Sequence, residues 1–242
     1  MNQRLYLPEV PEAGERTTLD KDRSHYLLRV LRLRDGSEFF CFDGHGNQWR
    51  VRILNTEGRR VTLETLALDR QEAAPTDLIL AQGWLKGGAM DTVVQKATEL
   101  GVSRIIPLVT ERCNVHLHGA RLAQRLLHLQ RIAISASEQS GRLFVPEVSE
   151  PQSLTGLLAS APASPERQTL MLDLNSPALQ AGTRPTPLLL LIGPEGGWSE
   201  GERTQARSTG AIACGLGDLT LRAETAPLVV LAAIRHSWHW QR

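Results

Sequence analysis

The chain has only three cysteines in 242 residues, Cys41, Cys113 and Cys214, and no CxxC pair among them. Such spacing argues against a zinc site and against a disulfide framework. Each is expected to be a small buried hydrophobe, and no bound metal is expected. No apolar run approaches the length that crosses a bilayer, and Met1 to Pro11 carry no basic start followed by an apolar stretch. A cytoplasmic protein without membrane contacts is the expectation. Charge of one sign is also missing: the net charge is +1, so bulk charge does not announce a nucleic-acid binder. Two nucleotide signatures are absent as well. No GxGxxG follows the first strand of the second half, and no GxxxxGK[ST] occurs, which excludes an ordinary dinucleotide site and a P-loop.

Hydrophobic residues make up 41% of the chain, enough for a sizeable core. Lysine is scarce, with 3 of 27 basic residues, so the cations are almost all arginine, whose planar fork suits phosphate and base stacking. Lys21, Arg23, His25, Arg29, Arg32 and Arg34 are opposed within their stretch only by Asp22. That cluster is either a solvated face or a phosphate-contacting stripe.

Residues 1 to about 70 read as short β segments. Ser37 to Phe42 is strand-like, Asp43-Gly44-His45-Gly46-Asn47 is a turn, and Gln48 to Leu54 alternates with Trp49, Val51 and Ile53 on one face. Arg60 to Leu66 alternates again. This spacing suggests a small barrel or sandwich over 1–72. Gln71 to Pro75 reads as a linker, and a second domain is expected over 73–242. There the pattern becomes strand-helix alternation: strands at Leu78–Ala81, Arg104–Val109, Thr169–Leu172 and Leu188–Ile192, and helical stripes through Met90, Val93, Val94, Ala97 and Leu100 and through Leu122, Leu126, Leu129, Ala133 and Ala136. Ser199 and Glu202 form a capping box, and Pro227 suits the first turn of the last helix. The fold class is α/β with a mostly parallel sheet. Ala159 to Pro165 reads as a surface loop.

Two glycine-bearing loops follow late strands: Ile192-Gly193-Pro194-Glu195-Gly196-Gly197-Trp198, and Gly215 to Ala226 after the short strand Ala211–Cys214. Glycine lets backbone approach a ligand closely. Two such loops at neighbouring strand ends would wall one pocket with peptide groups, as suits a small-molecule cofactor read by main chain.

A set of ordered motifs resembles the RsmE family of 16S rRNA uridine-N3 methyltransferases, in the SPOUT superfamily. They are His25-Tyr26-Leu27-Leu28-Arg29-Val30-Leu31-Arg32; Lys86 with Met90-Asp91; Lys96 to Val102; Pro107 and Glu111-Arg112; Glu138-Gln139-Ser140-Gly141-Arg142; Gly193 to Gly197; and Leu221-Arg222-Ala223-Glu224-Thr225-Ala226. The resemblance implies an N-terminal PUA-like β-barrel and a C-terminal SPOUT domain with a deep trefoil knot, a class of topology otherwise nearly absent. It implies that S-adenosyl-L-methionine binds at Leu172, Asp173, Ile192, Gly193, Pro194, Glu195, Gly196, Gly197, Leu216, Gly217, Leu219, Leu221, Arg222, Glu224, Thr225 and Ala226, leaving S-adenosyl-L-homocysteine. It implies a homodimer that methylates 16S rRNA in the assembled 30S subunit. Arg4, His25, Arg29, Arg32, Lys86, Arg112 and Arg142 are candidate RNA contacts, and Arg142 and Glu195 candidate catalytic groups. Within this set His25 is equally a packed side chain and Glu195 equally a fixer of its own loop, while Glu224 reads first as a helix N-terminal acid. Leu219 and Thr220 depart from the family's Arg and Ile, and Cys113 stands where Ser is usual.

Overall fold

The computed structural model describes residues 3–115, 117–160, 166–174, 176–180 and 182–239. The chain divides into two compact units, Met1–Ala74 with Ser137–Val145, and Pro75–Ala136 with Pro146–Arg242.

In the first unit, β1 (Arg4–Tyr6), β2 (Arg16–Thr18), β3 (Glu38–Phe42), β4 (Asn47–Asn55) and β5 (Thr62–Gln71) form one sheet in the order β1-β3-β4-β5-β2, with β1 parallel to β3 and the other pairs antiparallel. Between β2 and β3 lie α1 (Lys21–His25) and a π-helical turn, Tyr26–Val30. Asp20 caps α1, its Oδ1 accepting the Arg23 N–H at 2.8 Å. The β3–β4 turn forms because the Asp43 carboxylate accepts the N–H groups of His45 and Asn47, with Gly44 and Gly46 at positive φ. The expected alternation packs Phe39, Val51, Ile53, Val61 and Leu63 into one core with Leu5 and Leu27. Register shifts along β4–β5 break the period, so Gln48 is buried although the alternation points it outward. Its amide finds Asp69 Oδ2 at 2.8 Å. β5 runs five residues beyond the expected Leu66, because Asn47 pairs with Gln71.

Residues 137–145 belong to this unit. Gly46 N–H donates to Leu143 O, and Val145 N–H to Gly44 O, so the segment adds to the turn as a strand would. Glu138 Oε1 accepts the Tyr6 N–H at 2.9 Å. Burial raises the Glu138 carboxyl above its ordinary value, against the opposing pull of the Tyr6 N–H and of Arg23.

The second unit is built on β6 (Leu78–Gly83), β7 (Arg104–Val109), β8 (Glu147–Val148), β9 (Gln152–Ser153), β10 (Gln168–Leu172), β11 (Leu188–Ile192) and β12 (Ile212–Cys214), all parallel, in the order β12-β10-β11-β6-β7-β8, with β9 also on β7. Helices α2 (Ala89–Glu99), α3 (Gly119–Ser140), α4 (Leu154–Ser160), α5 (Glu200–Ser208) and α6 (Ala226–Ser237) intervene, the last turn of α3 counting with the first unit. Every residue of β11 is buried, as in a strand covered on both faces. The α2 stripe is buried from Met90 to Ala97, and Gly101 at φ 98 stops the helix. The capping box of α5 is present. Of the expected loop at 159–165, Ala159 and Ser160 close α4, and 161–165 lie outside the described residues.

Candidate functional site: a cavity at three strand ends

Because β12, β10 and β11 are neighbours in a parallel sheet, their carboxyl ends open side by side, the usual place for a ligand in an open α/β sheet. A cavity of about 270 Å³ lies there. Its walls are Leu172 to Leu174 after β10, Ile192 to Trp198 after β11, and Leu216, Gly217, Leu219, Thr220, Leu221 and Ala223 after β12, with Ala226 at the start of α6. The two glycine loops thus meet as expected, and the β10 end forms a third wall.

The glycines in these walls serve backbone packing first. A Cβ on Gly83, at the end of β6, would lie 2.6 Å from Pro194 Cδ and 2.7 Å from the Gly193 carbonyl carbon. One on Gly196 would lie 2.9 Å from Arg112 Cβ. The β11 loop is therefore packed tightly against Gly83 and Arg112, with no room for a side chain at Gly83 or Gly196. Gln82, fully buried, reinforces it: its Nε2 donates to Gly193 O at 3.1 Å. Trp198 fixes the far end, its indole N–H donating to Leu172 O at 2.9 Å and tying the β11 loop to β10. Gly217, at φ 97, turns the β12 loop.

Side chains with charge are few and mostly engaged. Asp173 accepts from Arg203 Nε with both oxygens, at 3.1 and 3.0 Å, and this carboxylate holds the guanidinium above its usual value. Arg112 Nη1 donates to Gly196 O at 3.0 Å. Glu195 Oε1 accepts the Lys86 main-chain N–H at 3.2 Å. Burial pushes the Cys214 thiol, just before the β12 loop, up to about 11, so it stays a neutral thiol there. Among the described residues no group of three or more His, Cys, Asp or Glu could hold a metal, and no helix is long and apolar enough to cross a membrane.

Of the sequence-derived cofactor set, Leu172, Asp173, Ile192 to Gly197, Leu216, Gly217, Leu219, Leu221 and Ala226 line the cavity. Arg222, Glu224 and Thr225 do not. Arg222 is 87% exposed in its side chain and faces Glu224 at 3.8 Å, while its carbonyl accepts from Thr225 and Ala226. The three form the turn that opens α6. Among the RNA candidates, Arg112 stands in the cavity wall. The Lys86, His25, Arg29 and Arg32 residues are exposed, so His25 is not a core side chain. Arg4 is half-buried against Gly141, and Arg142 is half-buried in the turn after α3. Leu174, Trp198, Arg203, Thr220 and Ala223 line the cavity as well and stand outside the sequence-derived cofactor set. Arg203 reaches the wall by pairing with a strand end thirty residues away in sequence, and no local pattern reports that.

The chain is similar over residues 72–235 to the family described as an RNA methyltransferase domain, and over 19–66 to that described as an RNA methyltransferase PUA domain. A ribosomal RNA small subunit methyltransferase E from Synechocystis sp. is 37% identical over 224 residues, which span 90% of this chain and 72% of that protein. The crystal structure of a ribosomal RNA small subunit methyltransferase E from Neisseria gonorrhoeae, bound to S-adenosyl methionine, superposes with a TM-score of 0.89 at 36% identity over 98% of each chain. A methyltransferase from Legionella pneumophila, also in complex with that cofactor, gives 0.91 at 29% identity over 98% of each chain.

Proposed function

Because the chain belongs to the RNA methyltransferase family, alongside the ribosomal RNA small subunit methyltransferases E, we propose that it transfers a methyl group from S-adenosyl-L-methionine to N3 of a uridine in 16S rRNA. The observation that carries this is the cavity at the ends of β10, β11 and β12, walled mostly by main chain and small or apolar side chains, with Arg112, Asp173, Glu195 and Arg203 its charged lining. Its 270 Å³ approaches the lower bound of about 300 Å³ for ligand pockets. A neutral purine is well served by backbone N–H and C=O groups, and the close-packed glycines keep those groups free of side-chain bulk. The residues present fit the cofactor.

When bound, the cofactor supplies an electrophilic methyl on a sulfonium. The chain's own part is to hold and orient. The peptide groups of Gly193 to Gly197 and of Leu216 to Leu221 form the cradle, and the Asp173–Arg203 pair makes a rigid polar floor. Uracil N3 sits on the Watson–Crick edge and carries a proton, so the target base must be unpaired or flipped out, and N3 must lose that proton as it is methylated. Arg142 is proposed to stabilise the resulting uracil anion, and Glu195, held by the Lys86 N–H, to orient the substrate base. With saturating RNA, Arg142→Ala should slow turnover by 10-fold or more, of order 10²–10³ for a lost anion stabiliser. An unchanged rate removes that role.

The same reading has the chain knotted where the β11 and β12 loops meet, and has it working as a cytoplasmic homodimer on the assembled 30S subunit. Exposed Val229 on apolar α6 supports an interface there. Calorimetry with S-adenosyl-L-homocysteine tests the cavity. Mass mapping of methyluridines, after incubation with unmodified 30S particles and with naked 16S rRNA, tests reaction and substrate. Binding without any methyluridine would leave only an RNA-gripping scaffold.

A further inference from the structure

The first part of α3 carries Arg121, Arg125, His128 and Arg131 and no acid; the helix's single carboxylate, Glu138, lies near its far end. Leu126, Leu129 and Ala133 of the same helix are buried, so Arg121, His128 and Arg131 lie on its exposed side. With Arg125 they follow one another at intervals of four, three and three residues, hence on one side of the helix, over about 15 Å of axis. With a net charge of +1 for the whole chain, such a run does not simply mirror composition.

Arg125 is different, because it is engaged. Its guanidinium meets Asp91 Oδ1 at 2.7 Å and donates to Gly87 O at 3.0 Å, while His128 Nε2 meets Asp91 Oδ2 at 3.1 Å. Asp91 is thereby taken up, and the turn carrying Lys86 is tied to α3. The Lys86 N–H in turn reaches Glu195 in the cavity wall. Arg121 and Arg131 meet no carboxylate among the described residues. Arg125, in the middle of this cationic face, thus joins it to the turn whose Lys86 N–H reaches the cavity wall.

We infer that this face binds the sugar–phosphate backbone of single-stranded RNA on its way to the cavity, with Lys86, Arg121 and Arg131 on phosphates and Arg125 positioning Lys86. The inference rests on the reading of the cavity as the methyl-transfer site. Guanidinium and ammonium groups on one helix face suit successive phosphates, and such contacts are independent of sequence.

The test uses the full chain and a fluorescein-labelled oligouridylate. Binding is measured across a salt series for the wild type and for the double variant Arg121→Gln, Arg131→Gln. The slope of log affinity against log salt should become shallower by about 1.4, at about 0.7 per single-strand phosphate. Affinity for S-adenosyl-L-homocysteine should not change, and Arg121→Lys with Arg131→Lys should restore the slope. Equal slopes for wild type and the glutamine variant overturn the inference. If the double variant misfolds, each single variant should lose about 0.7, and no loss in either is equally decisive. A wild type that binds no S-adenosyl-L-homocysteine sinks the proposed function, whereas the slope comparison still decides the phosphate track.

Discussion

Gly83 has no side chain because the β11 loop occupies the space. Its Cβ would meet backbone carbon of Gly193 at 2.7 Å, and backbone cannot swing aside as the end of a long side chain can. Gly83→Ala should destabilise the protein by about 1–3 kcal/mol and weaken S-adenosyl-L-homocysteine binding, read by thermal unfolding and calorimetry. Wild-type values in both would mean the loop yields without cost. Glu138 gives a residue-scale pH effect. Its carboxyl is raised above 4.5 by burial, offset in part by the Tyr6 N–H and Arg23. A raised carboxyl favours folding while it is protonated, below about 4.5, and that contribution is lost as pH rises through the folded value. Glu138→Gln keeps an acceptor for the Tyr6 N–H and removes the titration. Its stability relative to wild type should therefore climb with pH above 4.5. Parallel unfolding profiles from acid to neutral pH would contradict this. Neither effect was legible beforehand: a glycine's neighbours and a carboxylate's burial are properties of chain segments far apart in sequence.

Helix α5 was legible as an element, since Ser199 and Glu202 stand at capping-box spacing across its start. What the spacing does not report is that Glu202 serves twice, accepting the Ser199 N–H with Oε2 and the Glu111 N–H with Oε1, each at 2.9 Å. Ser199→Ala should cost about 1 kcal/mol. Glu202→Ala, which strands the buried Ser199 N–H and the partly buried Glu111 N–H, should cost roughly 2 kcal/mol or more. Urea denaturation separates the two, and equal losses would show that the Glu111 bond adds nothing. The turn Tyr26–Val30 and its continuation expose Arg29 and Arg32, with Arg32 at φ 56. If they grip phosphate, Arg29→Gln with Arg32→Gln should weaken RNA binding and flatten its salt dependence by about 0.7 per contact; an unaltered slope leaves the cluster a solvated face.

The first unit should not survive being cut from the chain at its apparent linker. Residues 143–145 pair with Gly44 and Gly46, and Glu138 with Tyr6, so a fragment of residues 1–74 lacks partners for its own backbone. It should unfold without cooperativity, or at a much lower midpoint than the same unit in the whole protein, when followed by circular dichroism. A fragment with a sharp transition near that of the full chain would show that residues 137–145 are dispensable.

Local sequence determined the helical stripes, the alternating strands, the turn at Asp43 to Asn47, the capping box and the two glycine loops, since each is set by residues within one or two turns of chain. Only the tertiary structure decided that β12 pairs with β10, which brings the two loops to one cavity. It also decided that Arg203 joins Asp173 there, that Arg222 turns outward, and that the end of α3 counts with the first unit. Those outcomes depend on strand order and on which distant segments meet, and a local period or motif carries no information about either.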